Sequence, residues 1–373
     1  MGCVILGVGC GTAPAPTPER VTVSGVRAPG DAAIAAAPMA TPPPSTSSRW
    51  TAVGWHELPG WHEDKLAEVW PAVLRGCGRP PPPWRAFCSD ALALPAATDA
   101  HLRAWLPQRL QAYRVETPAG EARGLITGYH EPQLDARRLP DARHRFALHR
   151  PPADLATRKP YWSRQQLDTH ASAALKGREI AYLDDPVNVL VLQIQGSGRL
   201  RITEPDGSVR DVRLAYAGHN GHAYGSVGTW LIGRGELRSG AASWPAIKAW
   251  TQRNPARVQE MLWSNPRVIF FQEEALTDPN SGPRGAQGVA LTPGRSIAVD
   301  PRSLPYGTLV WLDTTLPLSP TPLRRLVVAQ DTGSAIVGAV RADYFWGWDK
   351  DAEQQAGRMK QGLHLWALWP RDP

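Results

Sequence analysis

The sequence predicts a largely β protein made of two β units with helices at their periphery. Two observations carry this. Strand-like apolar runs bounded by Gly, Pro or Asp crowd residues 124–215 and return over 265–369. Apolar residues at helical spacing are concentrated elsewhere. A chain of 373 residues with 42% hydrophobic content has length for about two domains and material for real cores.

The start, "MGCVILGVGCGTAPAPTPE", is a short apolar stretch ending at Cys10, with the small residues Gly7 and Gly9 before it. It resembles the end of a bacterial lipoprotein signal, with Cys10 as the acylated residue. It departs from that pattern in lacking a basic leading region and in the shortness of its apolar part. No apolar run approaches the roughly 18 residues that span a bilayer. Residues 11–48 are rich in Ala, Pro, Thr and Ser and offer nothing large to bury, so they read as a flexible tether.

Helices come first in the globular part. "HEDKLAEVWPAVLRG" sets Leu66, Val69, Trp70, Val73 and Leu74 on one face, with Pro71 kinking or restarting the helix. "TDAHLRAWLPQRL" starts at an N-cap, Thr98, and turns Leu102, Trp105, Leu106 and Leu110 inward. Between them, Cys77 and Cys88 bracket "CGRPPPPWRAFC". In an exported protein this pair forms a disulfide; in a reducing compartment it is two buried thiols. A third helical region, "SWPAIKAWTQRNPARVQEMLW", has cap-like starts at Ser243 and at Asn254-Pro255. The last helix, around "DKDAEQQAGRMK", is expected to end at Gly362, before a closing strand "LHLWALW". The remaining runs, "GLITGYH", "VNVLVLQIQGSGRLRIT", "PRVIFFQ", "RSIAVD", "GTLVWLD" and "LRRLVVAQ", read as strands.

A net charge of +7 suits an anionic partner such as an acidic glycan or a membrane surface, but no basic stripe points to nucleic acid. Sixteen Trp can stack on sugars or fill cores. Four Cys without a C-x-x-C give no zinc site, and His219 and His222 lack a third ligand at a recognisable spacing. No metal and no cofactor are expected.

Read with period two, "QIQGSGRLRI" aligns Gln193, Gln195, Ser197, Arg199 and Arg201 on one face. That face suits a polyhydroxylated ligand or is an ordinary solvated surface. "TGYHEPQLDA" gathers Thr127, Tyr129, His130 and Glu131 at a strand end, and "AYAGHNGHAYGSVG" carries Asn220 in a Gly-rich loop. Asp300 ends the strand "RSIAV", Asp331 ends "LVVAQ", and Asp343 follows a Gly/Ala stretch. Each carboxyl either bonds the amides of a turn or acts as an acid. The second role requires shelter from water and neighbouring carboxylates, which raise a carboxyl pKa. "DTGS" also suggests an aspartic protease, which needs two carboxylates sharing a proton. The chain has a single D-T-G, and "LDTT" at Asp313 lacks the glycine.

"TGYHEPQLDA", "DPVNVLVLQIQGSGRLRI", "AYAGHNGHAYGSVG", "NPRVIFFQ", "QGVALTPGRSIAVDPRSLPYGTLVWLDT" and "QDTGSAIVGAVRADYFWGWDKDAEQQAGRMKQGLHLWALWP" follow the order seen in the family of membrane-bound lytic murein transglycosylase A. The resemblance spans roughly residues 55–370. It implies a double-psi β-barrel catalytic domain over residues 49–129 and 264–373. A second β domain, over 130–263, would be inserted into it, with a glycan groove between the two. It implies Asp331 as the catalytic residue, with Asp300 and Asp343 as supporting carboxylates. Thr127, Tyr129, Glu131, Gln195, Ser197, Arg199, Asn220 and Ser334 become groove candidates for sugar contacts. The implied partners are peptidoglycan strands, the inner leaflet of the outer membrane through a lipid on Cys10, and other cell-wall enzymes; the implied location is the bacterial periplasm. His130, His219 and Ser334 depart from the family pattern, which has Tyr, Lys and Gly there.

The implied reaction cleaves the bond between N-acetylmuramic acid and N-acetylglucosamine without water. One Asp acts as acid and then base, while the sugar's own 6-hydroxyl closes a 1,6-anhydro ring. A site with few titratable groups fits such chemistry. The rival is a non-catalytic peptidoglycan-binding lipoprotein, against which the intact Asp331 speaks.

Overall fold

The computed structural model describes residues 47–94 and 97–371, so most of the tether and Cys10 lie outside the described residues. After β1 (Arg49–Val53) come α1 (Trp70–Cys77), α2 (Arg85–Leu92) and α3 (Asp99–Arg109). Pro71 sits in the first turn of α1, so the helix restarts there instead of bending. A disulfide, Cys77–Cys88, joins α1 to α2. Thr98 caps α3, its hydroxyl accepting from the His101 amide at 3.2 Å. Leu110, expected on that helix, instead begins β2 (Leu110–Glu116), and β3 (Gly124–Tyr129) follows.

The chain then builds a second sheet. Its elements are β4 (Gln133–Arg137), β5 (Phe146–His149), α4 (Arg164–Asp168), β6 (Glu179–Leu183) and α5 (Pro186–Gln195). Next are β7 (Gly198–Thr203), β8 (Val209–His219), α6 (Val227–Gly233), α7 (Trp244–Arg253), α8 (Val258–Trp263) and β9 (Ile269–Ala275). The strand order is β5-β6-β4-β7-β8-β9.

Two expectations are corrected here. "VNVLVLQIQGSGRLRIT" is a helix followed by a strand. Asp185 caps α5 by accepting from the Val187 amide, Pro186 fills the first turn, and Gly196 closes it at φ 81°. These local stops outweigh the β preference of the Val/Leu run. Gln193 and Gln195 therefore share no strand face with Arg199 and Arg201. The second correction concerns β9, which pairs with β8. The second sheet therefore reaches past residue 263, and "VIFFQ" belongs to it and not to the first sheet.

The last part returns to the first sheet with β10 (Ser296–Val299), β11 (Leu309–Thr315), β12 (Pro322–Asp331) and β13 (Arg341–Phe345). After these come α9 (Lys350–Arg358) and β14 (Lys360–Pro370). The helix α9 stops short of Gly362 because Lys360 to Leu363 pair with β3. The following residues of β14 pair with β11, and this shared strand closes a ring β14-β11-β12-β10-β13-β3 into a barrel.

Alternation sorts the barrel residues. Val310, Leu312, Val327, Ala329, Leu363 and Leu365 fill one core, while Leu309, Trp311, Leu326, Val328 and Leu368 face the helices α1–α3 in another. Many of the Trp belong to that second core, for example Trp61 edge-on to Trp311 at 5.1 Å. Buried Arg295 clamps Asp64 with both terminal nitrogens, at 2.7 and 2.9 Å, and so pins the N-terminal segment to the barrel.

Candidate active site

Register brings the aspartates together. Ala298 on β10 pairs with Asp331 on β12 at one side and with Asp343 on β13 at the other, and Asp343 in turn pairs with Thr127 on β3. A row Asp331–Ala298–Asp343–Thr127 thus crosses four adjacent strands. Asp300 follows two residues after Ala298. All three residues thus lie toward one end of the barrel, and Asp331 and Asp343 are near enough for the charge of one to act on the other.

Each has a different environment. Asp331 is half-buried. Its Oδ2 accepts from the Tyr129 hydroxyl at 2.9 Å and its Oδ1 from the Ala286 amide at 3.0 Å. Burial raises its pKa, although these donors and the Thr332 amide pull the other way. Asp343 accepts from Thr127 Oγ1 at 2.6 Å. Burial pushes its pKa up to about 6, the negative Asp331 adds to this, and Thr127 and Arg341 oppose it. Asp300 is the reverse case. Arg302 donates twice to it and the Gly338 and Arg302 amides once each, which holds its pKa low and keeps it ionised. Tyr129 is held neutral, raised well above the ordinary tyrosine range by burial and by Asp331 and Asp343.

Asp331 and Asp343 both carry a proton to higher pH and both are half-buried; Asp331 is the one held by two donors, the Tyr129 hydroxyl and the Ala286 amide. Asp343 is tied to Thr127 and, through it, to Arg341, whose guanidinium also donates to Thr127 Oγ1 at 2.8 Å. Asp300 holds the loop around Gly338.

The remaining sequence candidates are placed as follows. Thr127 and Tyr129 bond the carboxyls. Gln195 ends α5 and accepts from the His130 amide at 3.1 Å; Ser197 is half-buried just beyond it and Ser334 is exposed after Asp331. Glu131 and Arg199 are buried and bonded to each other at 2.7 Å, with Arg213 on the other carboxylate oxygen at 2.7 Å. Arg199 also reaches the Ser281 carbonyl at 2.9 Å. Buried Asn220 bonds the carbonyls of Trp162 and Pro266 and the Val268 amide. The side chains of Glu131, Arg199 and Asn220 are thus engaged inside the protein and do not line a sugar surface.

Sequence reasoning missed the Ala286 amide and the glycine that delivers it. A Cβ on Gly285 would lie 2.5 Å from the Gln330 carbonyl, so only glycine lets this loop lie against β12. The glycines spaced through "PRGAQG" were the available signal.

Comparison with known proteins agrees with this architecture. A model for the MltA-specific insert domain matches residues 125–272, and a model for the 3D domain matches residues 295–369. Membrane-bound lytic murein transglycosylase A of Escherichia coli is 30% identical over 265 residues, 69% of this chain and 69% of that protein. Among solved structures, the lytic transglycosylase LtgG of Burkholderia pseudomallei is 42% identical with a TM-score of 0.60, covering 90% of this chain and 99% of that one. MltA from Neisseria gonorrhoeae is 29% identical with a TM-score of 0.75, covering 90% and 96%.

Proposed function

Since the chain belongs to the family of membrane-bound lytic murein transglycosylase A, whose members are peptidoglycan-cleaving lyases, we propose that it cuts between N-acetylmuramic acid and N-acetylglucosamine without water. The observation that carries this is Asp331: a carboxyl with a raised pKa, partly open, and oriented by Tyr129 and Ala286.

Protonated Asp331 gives its proton to the glycosidic oxygen as the bond from the anomeric carbon breaks. The muramic acid 6-hydroxyl attacks that carbon, and its proton passes to the Asp331 carboxylate. The acid is restored and a 1,6-anhydro ring is left on the product. Ordinary glycosidases need a second carboxylate to attack or to activate water. Here the nucleophile is part of the substrate, and proximity lowers its entropic barrier. Asp343 and Asp300 hold the strand ends and set the local field. The glycan lies in a groove between the barrel and the second sheet, with Gln195, Ser197 and Ser334 as candidate sugar contacts. No helix among the described residues is long and apolar enough to cross a membrane; association with the envelope, which the relatives' names indicate, would come through a lipid on Cys10.

Digestion of purified sacculi followed by mass spectrometry tests the reading. Muropeptides with 1,6-anhydro ends are expected. Hydrated reducing ends would mean a hydrolase, and no release would mean a binding protein. Asp331→Asn is expected to lower release by at least about 10²-fold with melting retained; wild-type rates in that variant would sink the assignment.

A further inference from the structure

A concave site apart from the three aspartates lies just past the end of β3. Consecutive residues of an extended chain face opposite ways. Tyr129 reaches Asp331, whereas the next residue, His130, lines a cavity of about 200 Å³ between α5, α7 and the start of α9. No residue lining this cavity bonds any of the three aspartates.

Four features mark it as a binding site. His130 is buried, only 5% exposed, and its Nδ1 has no hydrogen-bond partner. Burial also lowers its pKa, so the ring is a neutral donor or acceptor awaiting one. Lys248 and Glu353 line the same cavity and both act electrostatically on His130. Among the described residues, neither Lys248 nor Glu353 forms an ion pair. Finally, Trp244 and Trp348 supply apolar walls. The Trp348 ring is fixed from behind by Arg199, whose guanidinium lies 3.9 Å from the ring centre and is itself locked by Glu131.

Side chains of both signs, Lys248 and Lys350 with the exposed Glu353 and with Asp349, which also caps α9, are set among two indoles and a neutral imidazole; together they match a ligand bearing both a carboxylate and an ammonium on an aliphatic stem. The glycan itself carries no ammonium: its one charged group, the muramyl lactate of stem-free strands, could answer a lysine but neither carboxylate. The volume also falls below the ~300 Å³ at which pockets for larger ligands begin, which suits a single amino-acid residue. We propose that this cavity recognises the diamino-acid residue of a peptidoglycan peptide stem. Lys248 faces its carboxylate, Glu353 its ammonium, and Trp244 and Trp348 its aliphatic chain. The proposal rests on the reading of peptidoglycan as substrate, and it gives the enzyme a means of telling stem-bearing strands from bare ones.

The test is titration calorimetry of the full chain with the tripeptide L-alanyl-γ-D-glutamyl-meso-diaminopimelate, alongside cleavage assays. Saturable binding is expected, weakened about tenfold in each of Lys248→Ala and Glu353→Gln. Both variants should cleave stem-free glycan strands at the wild-type rate and show a raised KM on stem-bearing sacculi. Absence of saturable binding up to about 10 mM overturns the proposal. So does binding unchanged in both variants, or a chitotriose site abolished by Lys248→Ala, which would make the cavity a glycan subsite. Calorimetry needs no cleavage, so failure of the lytic reaction and failure of this site are read separately.

Discussion

Tyr129 donates to Asp331, the acid of the proposed mechanism, and such a bond favours the charged form. Its loss in Tyr129→Phe raises the Asp331 pKa further. In the proposed mechanism the acid form is the active one, so rates should fall as pH rises through that pKa, and the alkaline limb of the pH–rate profile is expected to move to higher pH in the variant. A Tyr129 that only held sugar would raise KM and leave the limb in place. Glu131 behaves differently. In Glu131→Gln, two buried guanidinium groups lose the charge between them, and the expected cost is about 3–5 kcal/mol in urea unfolding. A loss within about 1 kcal/mol would place that pair in effective contact with solvent. At this scale the sequence was legible in placement: Asp331 and Asp300 do stand at strand ends, and Thr127 lies near the end of β3. It was not legible where long side chains choose partners. Arg199 and Glu131 looked like sugar ligands because nothing in local spacing announces that they find each other 68 residues apart.

Among the elements, the loop through Gly285 and the helix α9 both depend on close backbone approach. Gly285→Val would drive a side chain into the Gln330 carbonyl and push the Ala286 amide off Asp331. A fall in turnover of about tenfold or more is expected, together with about 1–3 kcal/mol of lost stability. Unchanged turnover would remove Ala286 from the machinery. Gly128 plays the same part beneath α9, since a Cβ there would meet Ala356 Cα at 2.9 Å. Helix starts were readable because capping is local: Thr98, Ser243 and Pro71 all act within one turn. The helix α5 was misread as strand because Val, Leu and Ile fit either state, and only its caps decide.

For the whole molecule, strand-like runs announced two β units with peripheral helices, and the family resemblance implied a barrel, but neither disclosed the strand order. Thr127 and Asp343 bond across 216 positions, and no periodicity encodes such a pairing. The row Asp331–Ala298–Asp343–Thr127 therefore exists only once the ring has closed. One clasp also has a consequence for how this architecture can be rebuilt. Arg199 holds Glu131, where the chain leaves the barrel, and the Ser281 carbonyl, where it comes back. Exit and return thus lie within a single side chain's reach, and the second sheet is a cassette whose two ends nearly touch. Replacing residues 132–280 by a short Gly/Ser bridge is expected to leave a barrel that still melts cooperatively, stripped of its glycan groove and inert on sacculi. If the shortened chain does not fold, the cassette is instead part of the barrel's own support.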